Sequence, residues 1–163
     1  PPYPHSQVTI AYVDTGLPTS LRRQALRSTY LFECHCSRCE READSPNEPA
    51  RAEAAAQMDA HRQKEHQAIE SAEWGVALTH SLKARELGWS IYPGGSAPHG
   101  LQCLRAGKLA LHQEEMATAL KCLSEAVSIL SVSHGKESAL VAEAGELLRE
   151  AQMEARMGGL RVE

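Results

Sequence analysis

Cys34, Cys36 and Cys39 stand in the run Phe32-Glu33-Cys34-His35-Cys36-Ser37-Arg38-Cys39. Thiols this close can close on one ion with little bending of the backbone. Thiolate is a soft ligand, and zinc accepts it in a tetrahedral site with no electronic objection. A structural zinc site has four ligands, so the spacing predicts zinc with one donor missing. His35 is a poor fourth ligand, because both of its neighbours already bind and its ring must fold back over them. The spacing leaves the fourth donor open, and the chain reads as part of a larger protein.

Several elements must hold that cluster. Val8, Ile10 and Tyr12 alternate with Thr9, Ala11 and Val13, the period of a strand. Asp14-Thr15-Gly16 is turn chemistry. A helix is expected from Pro18–Ser20 to about Thr29, with Leu21, Ala25 and Leu26 as its apolar stripe and Arg22, Arg23 and Arg27 as a solvated face. The cysteine cluster follows, and Ala43–Pro49 reads as a linker. This divides the chain into residues 1–42 and residues 50–158. The second part reads as all helical. A thinly anchored helix carries Ala54 and Met58. A more amphipathic one continues through Ile69, Val76, Leu82 and Leu87, kinked near Gly75 and stopped by Pro93-Gly94-Gly95. Three more are expected over about 98–112, 115–131 and 136–157.

Composition narrows the classes. Aromatic residues are 4% of the 163, alanine is abundant, and the pattern favours helices, so the fold class is mainly α. The net charge of -4 lacks the basic excess of a nucleic-acid surface, and no direct nucleic-acid partner is expected. No stretch reads as membrane-spanning and there is no signal-peptide pattern, so no membrane partner is expected and a cytoplasmic or nuclear place is. Five cysteines cannot all pair internally. Cys103 and Cys122 fall on helical patterns as small core residues. His61 and His66 are not on one helical face and read as solvated. Trp74 and Trp89 read as core residues.

Gly107, Ala119 and Ala126 take the small-residue positions of one tetratricopeptide-like helix pair. Any helix hairpin with small contact residues has the same signature, and an array normally needs several such units.

The order of these features resembles the SET-and-MYND (SMYD) protein lysine methyltransferases. The carrying residues are Ile10-Ala11-Tyr12-Val13-Asp14, Leu21-Arg22-Arg23-Gln24-Ala25-Leu26 and Tyr30-Leu31-Phe32-Glu33-Cys34-His35-Cys36-Ser37-Arg38-Cys39. They are similar to the last strand, the arginine-rich helix and the post-SET zinc motif of that family. Gly107–Gln113, Ala126–Leu130 and Ser133–Glu137 look like its tetratricopeptide-like C-terminal domain. Residues 41–75 match poorly and are too short for the helices the family places there. Pro4-His5-Ser6-Gln7 stands where the family has an acidic turn. The family's MYND finger, the opening of its SET domain and its Asn-His-Ser-Cys segment have no counterpart here; the resemblance implies that the last of these supplies the fourth zinc ligand, from outside this chain, and part of the methyl-donor pocket.

The resemblance implies a C-terminal portion of a lysine N-methyltransferase that uses S-adenosyl-L-methionine, inactive as it stands, with structural zinc on Cys34, Cys36 and Cys39. Tyr12 is then the hydroxyl nearest the transferring methyl and part of the cofactor site. Tyr30 lines the lysine channel and Phe32 stacks on the adenine. The substrate is a protein lysine, histone included. The other reading is a helical interaction module that docks a peptide or a chaperone tail, for which Arg105, Lys108 and Lys121 are the available cations.

Overall fold

The structure, a computed structural model, describes residues 11–92 and 94–157. Its elements are α1 (Thr19–Tyr30), α2 (Ser37–Ala43), α3 (Glu48–Glu70), α4 (Trp74–Ile91), α5 (Ala97–His112), α6 (Met116–His134) and α7 (Ala139–Met157). The mainly α expectation holds. Of the strand expected over residues 8–13, residues 8–10 lie outside the described residues, and 11–13 are irregular rather than extended in a ladder. The chain divides into two compact units, residues 1–52 and 53–163. The division falls within α3, so Ala43–Pro49 belongs to the first unit, where Glu48 already opens the helix.

In the first unit, α1 ends where Leu31 takes a left-handed conformation (φ 58°). That is uncommon for a residue with a Cβ and turns the chain sharply toward the cysteine run. Burial on α1 falls on Thr19, Arg22 and Leu26, spaced three and four apart, so one face of the helix packs and the other is wet. The arginines do not share that wet face. Arg27 is exposed, but Arg22 is 4% exposed. The reason is its register, one turn before Leu26 and one turn after Thr19.

The second unit is a helical core. Leu104, Leu109, Leu123, Ile129, Leu130 and Val141 are buried together with Ala110, Ala119, Ala126, Ala144 and Ala151. Alanine and glycine at the contacts let the helix axes approach, because interaxial distance follows side-chain size. A Cβ on Gly107 would stand 2.6 Å from Leu123 Cδ2, so α5 and α6 touch there with no room for a methyl group. Cys103 and Cys122 are 0% and 1% exposed, core residues as expected.

Three expectations for this unit are corrected. The long amphipathic stretch is broken rather than kinked: α3 stops at Glu70, Ala72 has φ 55°, and Trp74 begins α4 just before Gly75. Trp89 is 42% exposed, with its ring 4.5 Å from that of His99 and edge to face. His61 is not merely solvated, since its Nδ1 lies 2.9 Å from that of His80 on α4. Also, α6 has a mean hydropathy of 1.3, and by length and composition alone it is apolar enough to cross a membrane. Six of its residues, Ala119 to Leu130, are buried in the helical core.

Candidate metal centre and aromatic cluster

α1 and α2 position the cysteines. Cys34 leaves the turn after α1, Cys36 caps α2, and Cys39 sits in the first turn of α2. Arg23 Nε donates to the Cys34 carbonyl at 3.1 Å, which ties the strap between the helices back to α1. The Cys39 N–H points at Cys36 Sγ at 3.5 Å. The sulfurs of Cys34, Cys36 and Cys39 lie within 4.8 Å of one another. A tetrahedral site with Zn–S near 2.3 Å has sulfurs about 3.8 Å apart, so a small contraction suffices. The trio fits a zinc ion by donor type and by spacing. Among the described residues, no fourth Cys, His, Asp or Glu joins it. His35 is turned away, with Nδ1 4.0 Å from Glu40 Oε1 and its side chain 69% exposed.

The thiols are unequal. The Cys39 N–H, followed by the Cys34 and Cys39 side chains, lowers Cys36 to about 7. The Cys36 N–H draws Cys34 down, but burial and the thiols of Cys36 and Cys39 together push it up. One thiolate is thus within reach at neutral pH, and thiolate is the form that binds metal.

Glu42 organises the far side. Its Oε2 accepts from Arg22 at 2.9 Å and its Oε1 accepts from Arg38 at 2.7 Å. Burial alone raises this carboxyl, yet the two guanidiniums outweigh it and hold Glu42 at about 2. Arg22 also reaches the Leu17 carbonyl, and Arg38 reaches that of Thr15 at 2.8 Å, which fastens the loop before α1.

Tyr12, Tyr30 and Phe32 come together beside the thiols. The Tyr12 and Tyr30 rings are 5.1 Å apart and tilted, and those of Tyr12 and Phe32 are 6.3 Å apart edge to face. These are the separations that aromatic quadrupoles favour. The three residues are nevertheless 55%, 46% and 43% exposed, respectively. A cleft of about 440 Å³ is lined by Tyr12 and Phe32 together with Arg22, Leu26, Cys34 and Cys39, while Tyr30 stands outside its lining. The chain separation of Tyr12 from Tyr30 hid this contact from residue-by-residue reading; the family resemblance alone put them at one site. Reading also missed the two arginines that hold the cluster, although the spacing of Thr19, Arg22 and Leu26 is a usable signal for Arg22.

An α1–α2 cysteine cradle with an aromatic face, followed by a helical unit, defines a candidate metal centre in a mainly α chain. No family model matches the chain. Among curated proteins it is 28% identical to the human histone-lysine N-methyltransferase SMYD3 and 27% identical to the Mus musculus protein of the same name. Both matches run over 187 positions and cover 88% of this chain and 44% of the relative. It is 44% identical over 34 residues to the Arabidopsis thaliana histone-lysine N-methyltransferase ASHR1, covering 21% of this chain and 7% of that protein. The resemblance to the C-terminal region of the SMYD family is borne out by these matches. The chain spans less than half the length of the SMYD3 proteins it matches. The SMYD3 alignments are longer than the 163-residue chain, so they open gaps in it.

Proposed function

We propose that this chain is the C-terminal portion of a protein lysine N-methyltransferase of the SMYD type, using S-adenosyl-L-methionine and structural zinc. The observation that carries the reading is the contact of Tyr12, Tyr30 and Phe32 beside three clustered thiols. Cys34, Cys36 and Cys39 hold zinc, with the fourth ligand outside this chain. The ion has no catalytic duty in this reading: it closes the strap that carries Tyr30 and Phe32.

Methyl transfer to lysine is an in-line displacement. When bound, the cofactor supplies the electrophilic methyl group. The amine must arrive neutral, although the free side chain has a pKa of about 10.4. Aromatic walls favour the neutral form by excluding water. Tyr30 lines that wall, Phe32 offers a face to the adenine, and the Tyr12 hydroxyl orients the nitrogen lone pair toward the methyl. The present exposure of these rings fits a wall that the rest of the enzyme completes, so these residues alone are not sufficient for turnover. A protein substrate such as a histone, and a place in the nucleus or cytoplasm, belong to the same reading.

The test uses the complete polypeptide. Calorimetric titration with S-adenosyl-L-methionine should show binding that Phe32→Ala removes. Tyr12→Phe should lower turnover on a lysine peptide without abolishing cofactor binding. Unchanged turnover in Tyr12→Phe overturns the assignment. The interaction-module reading draws less support, since Lys108 is engaged by Glu143 and Arg105 faces Glu65 at 3.8 Å.

A further inference from the structure

Arg22 is held from several sides. Its Nη2 donates to Thr19 Oγ1 at 2.8 Å and to Glu42 Oε2 at 2.9 Å, and reaches Cys39 Sγ at 3.5 Å. The Thr19 hydroxyl in turn donates to the same Glu42 oxygen at 3.1 Å. Nη1 is directed at the Leu17 and Thr15 carbonyls. Arg22, Thr19 and Cys39 are 4%, 1% and 3% exposed, so this guanidinium is fixed against the one buried sulfur of the trio.

Among the described residues Glu42 is shared by Arg22 and Arg38, so the buried Arg22 does not have this carboxylate to itself. A neutral thiol is a weak acceptor and does little for a buried cation. Three thiolates on a dication leave one negative charge, and a metal-bound sulfur is a strong acceptor for a charged donor. A loaded site gives the Arg22 guanidinium an anionic sulfur to face at Cys39.

We propose that Arg22 is a positioning residue of the metal centre: its Nη2–H group holds and orients the Cys39 sulfur and offsets the negative charge of the metal–thiolate cluster. The inference rests on the zinc reading given above. It assigns Arg22 a duty toward the metal beyond packing α1, because outer-shell donors fix a ligand's direction and tune its basicity. Arg23 acts in parallel through the Cys34 carbonyl, which carries no metal charge and sets only the strap.

The experiment uses the intact polypeptide with Co²⁺ as a spectroscopic probe and Zn²⁺ in competition with a chromophoric chelator. The variants are Arg22→Met and Arg22→Lys, with Arg27→Met as the control on the exposed side of α1. Arg22→Met should weaken both metals by about 10- to 100-fold. It should also move the sulfur-to-cobalt charge-transfer band to longer wavelength, because a thiolate that loses an N–H donor holds its electrons less tightly. Arg22→Lys should recover part of the affinity through its charge. Arg27→Met should change neither readout. If Arg22→Met does not fold by circular dichroism, the band position in Arg22→Lys decides. A folded variant with unchanged affinity and band overturns the proposal. So does weakened affinity with an unmoved band, which is what a purely structural arginine gives. Absence of any cobalt–thiolate band in the unmutated protein overturns the zinc reading itself, a result distinct from the other two.

Discussion

His61 on α3 and His80 on α4 face each other with their Nδ1 atoms 2.9 Å apart and their rings tilted at 37°. One imidazole donates and the other accepts, so the contact needs at least one neutral ring. Burial first, then the charges of His80, Lys83 and Lys64, lower the pKa of His61. Burial also lowers that of His99, which is 1% exposed. A histidine whose folded pKa is lowered leaves the unfolded chain binding more protons, so stability falls as pH drops below the unfolded value near about 6.5. Urea midpoints should therefore decline from pH 7 to pH 5. His61→Gln should flatten part of that decline, leaving the His99 share. An equal slope in the variant counts against the pair as a titrating contact.

The close approach of α5 and α6 predicts the sign of a glycine substitution. On an exposed helix, Gly→Ala gains about 1 kcal/mol. At Gly107 the added methyl meets Leu123 Cδ2 at 2.6 Å and Cγ at 2.7 Å. Overpacking costs about 1–3 kcal/mol. Gly107→Ala should lower the melting temperature, and Leu123→Ala combined with it should cost less than the sum of the two single changes. Additive losses in calorimetry would mean that the two sites do not press on one another.

Arg85 and Glu125 form a forked ion pair, with Nε 2.8 Å from Oε2 and Nη2 on Oε1. The Arg85 side chain is 11% exposed, so its charge depends on that partner. Removing one member of a buried pair costs about 3–5 kcal/mol, whereas replacing both with apolar groups is often close to neutral. Glu125→Ala should destabilise strongly, and Arg85→Met with Glu125→Leu should recover most of the loss. Chemical denaturation of the unmutated protein and of these two variants checks it.

Thiol reactivity should separate the two cysteine classes. Burial first, then the Glu125 carboxylate, pushes Cys103 up to about 12, and burial also raises Cys122. Neither should react with iodoacetamide at pH 8 in the folded protein. Cys36 is exposed and lowered to about 7, so it should be alkylated first. Added zinc should protect it. Mass spectrometry of the labelled peptides gives the order; early labelling of Cys103 would mean that the α5–α6 contact opens readily.

The sequence alone carried the clustering of the thiols, because ligand type and short-range spacing are properties of a single run: Cys34, Cys36 and Cys39 are close in chain and in space. It also carried α5, α6 and α7 to within a few residues, since apolar period and the small residues Gly107, Ala119 and Ala126 are local signals. Tertiary structure decided what depends on distant partners. Arg22 looked like one charge of a wet helix face until Thr19, Glu42 and Cys39 gathered round it. His61 acquired its meaning only from His80 on another helix, and Trp89 proved to be 42% exposed. Charge and aromatic surface are written along the chain, but which groups they meet is set by long-range packing, and that decides burial, proton affinity and the work a residue can do.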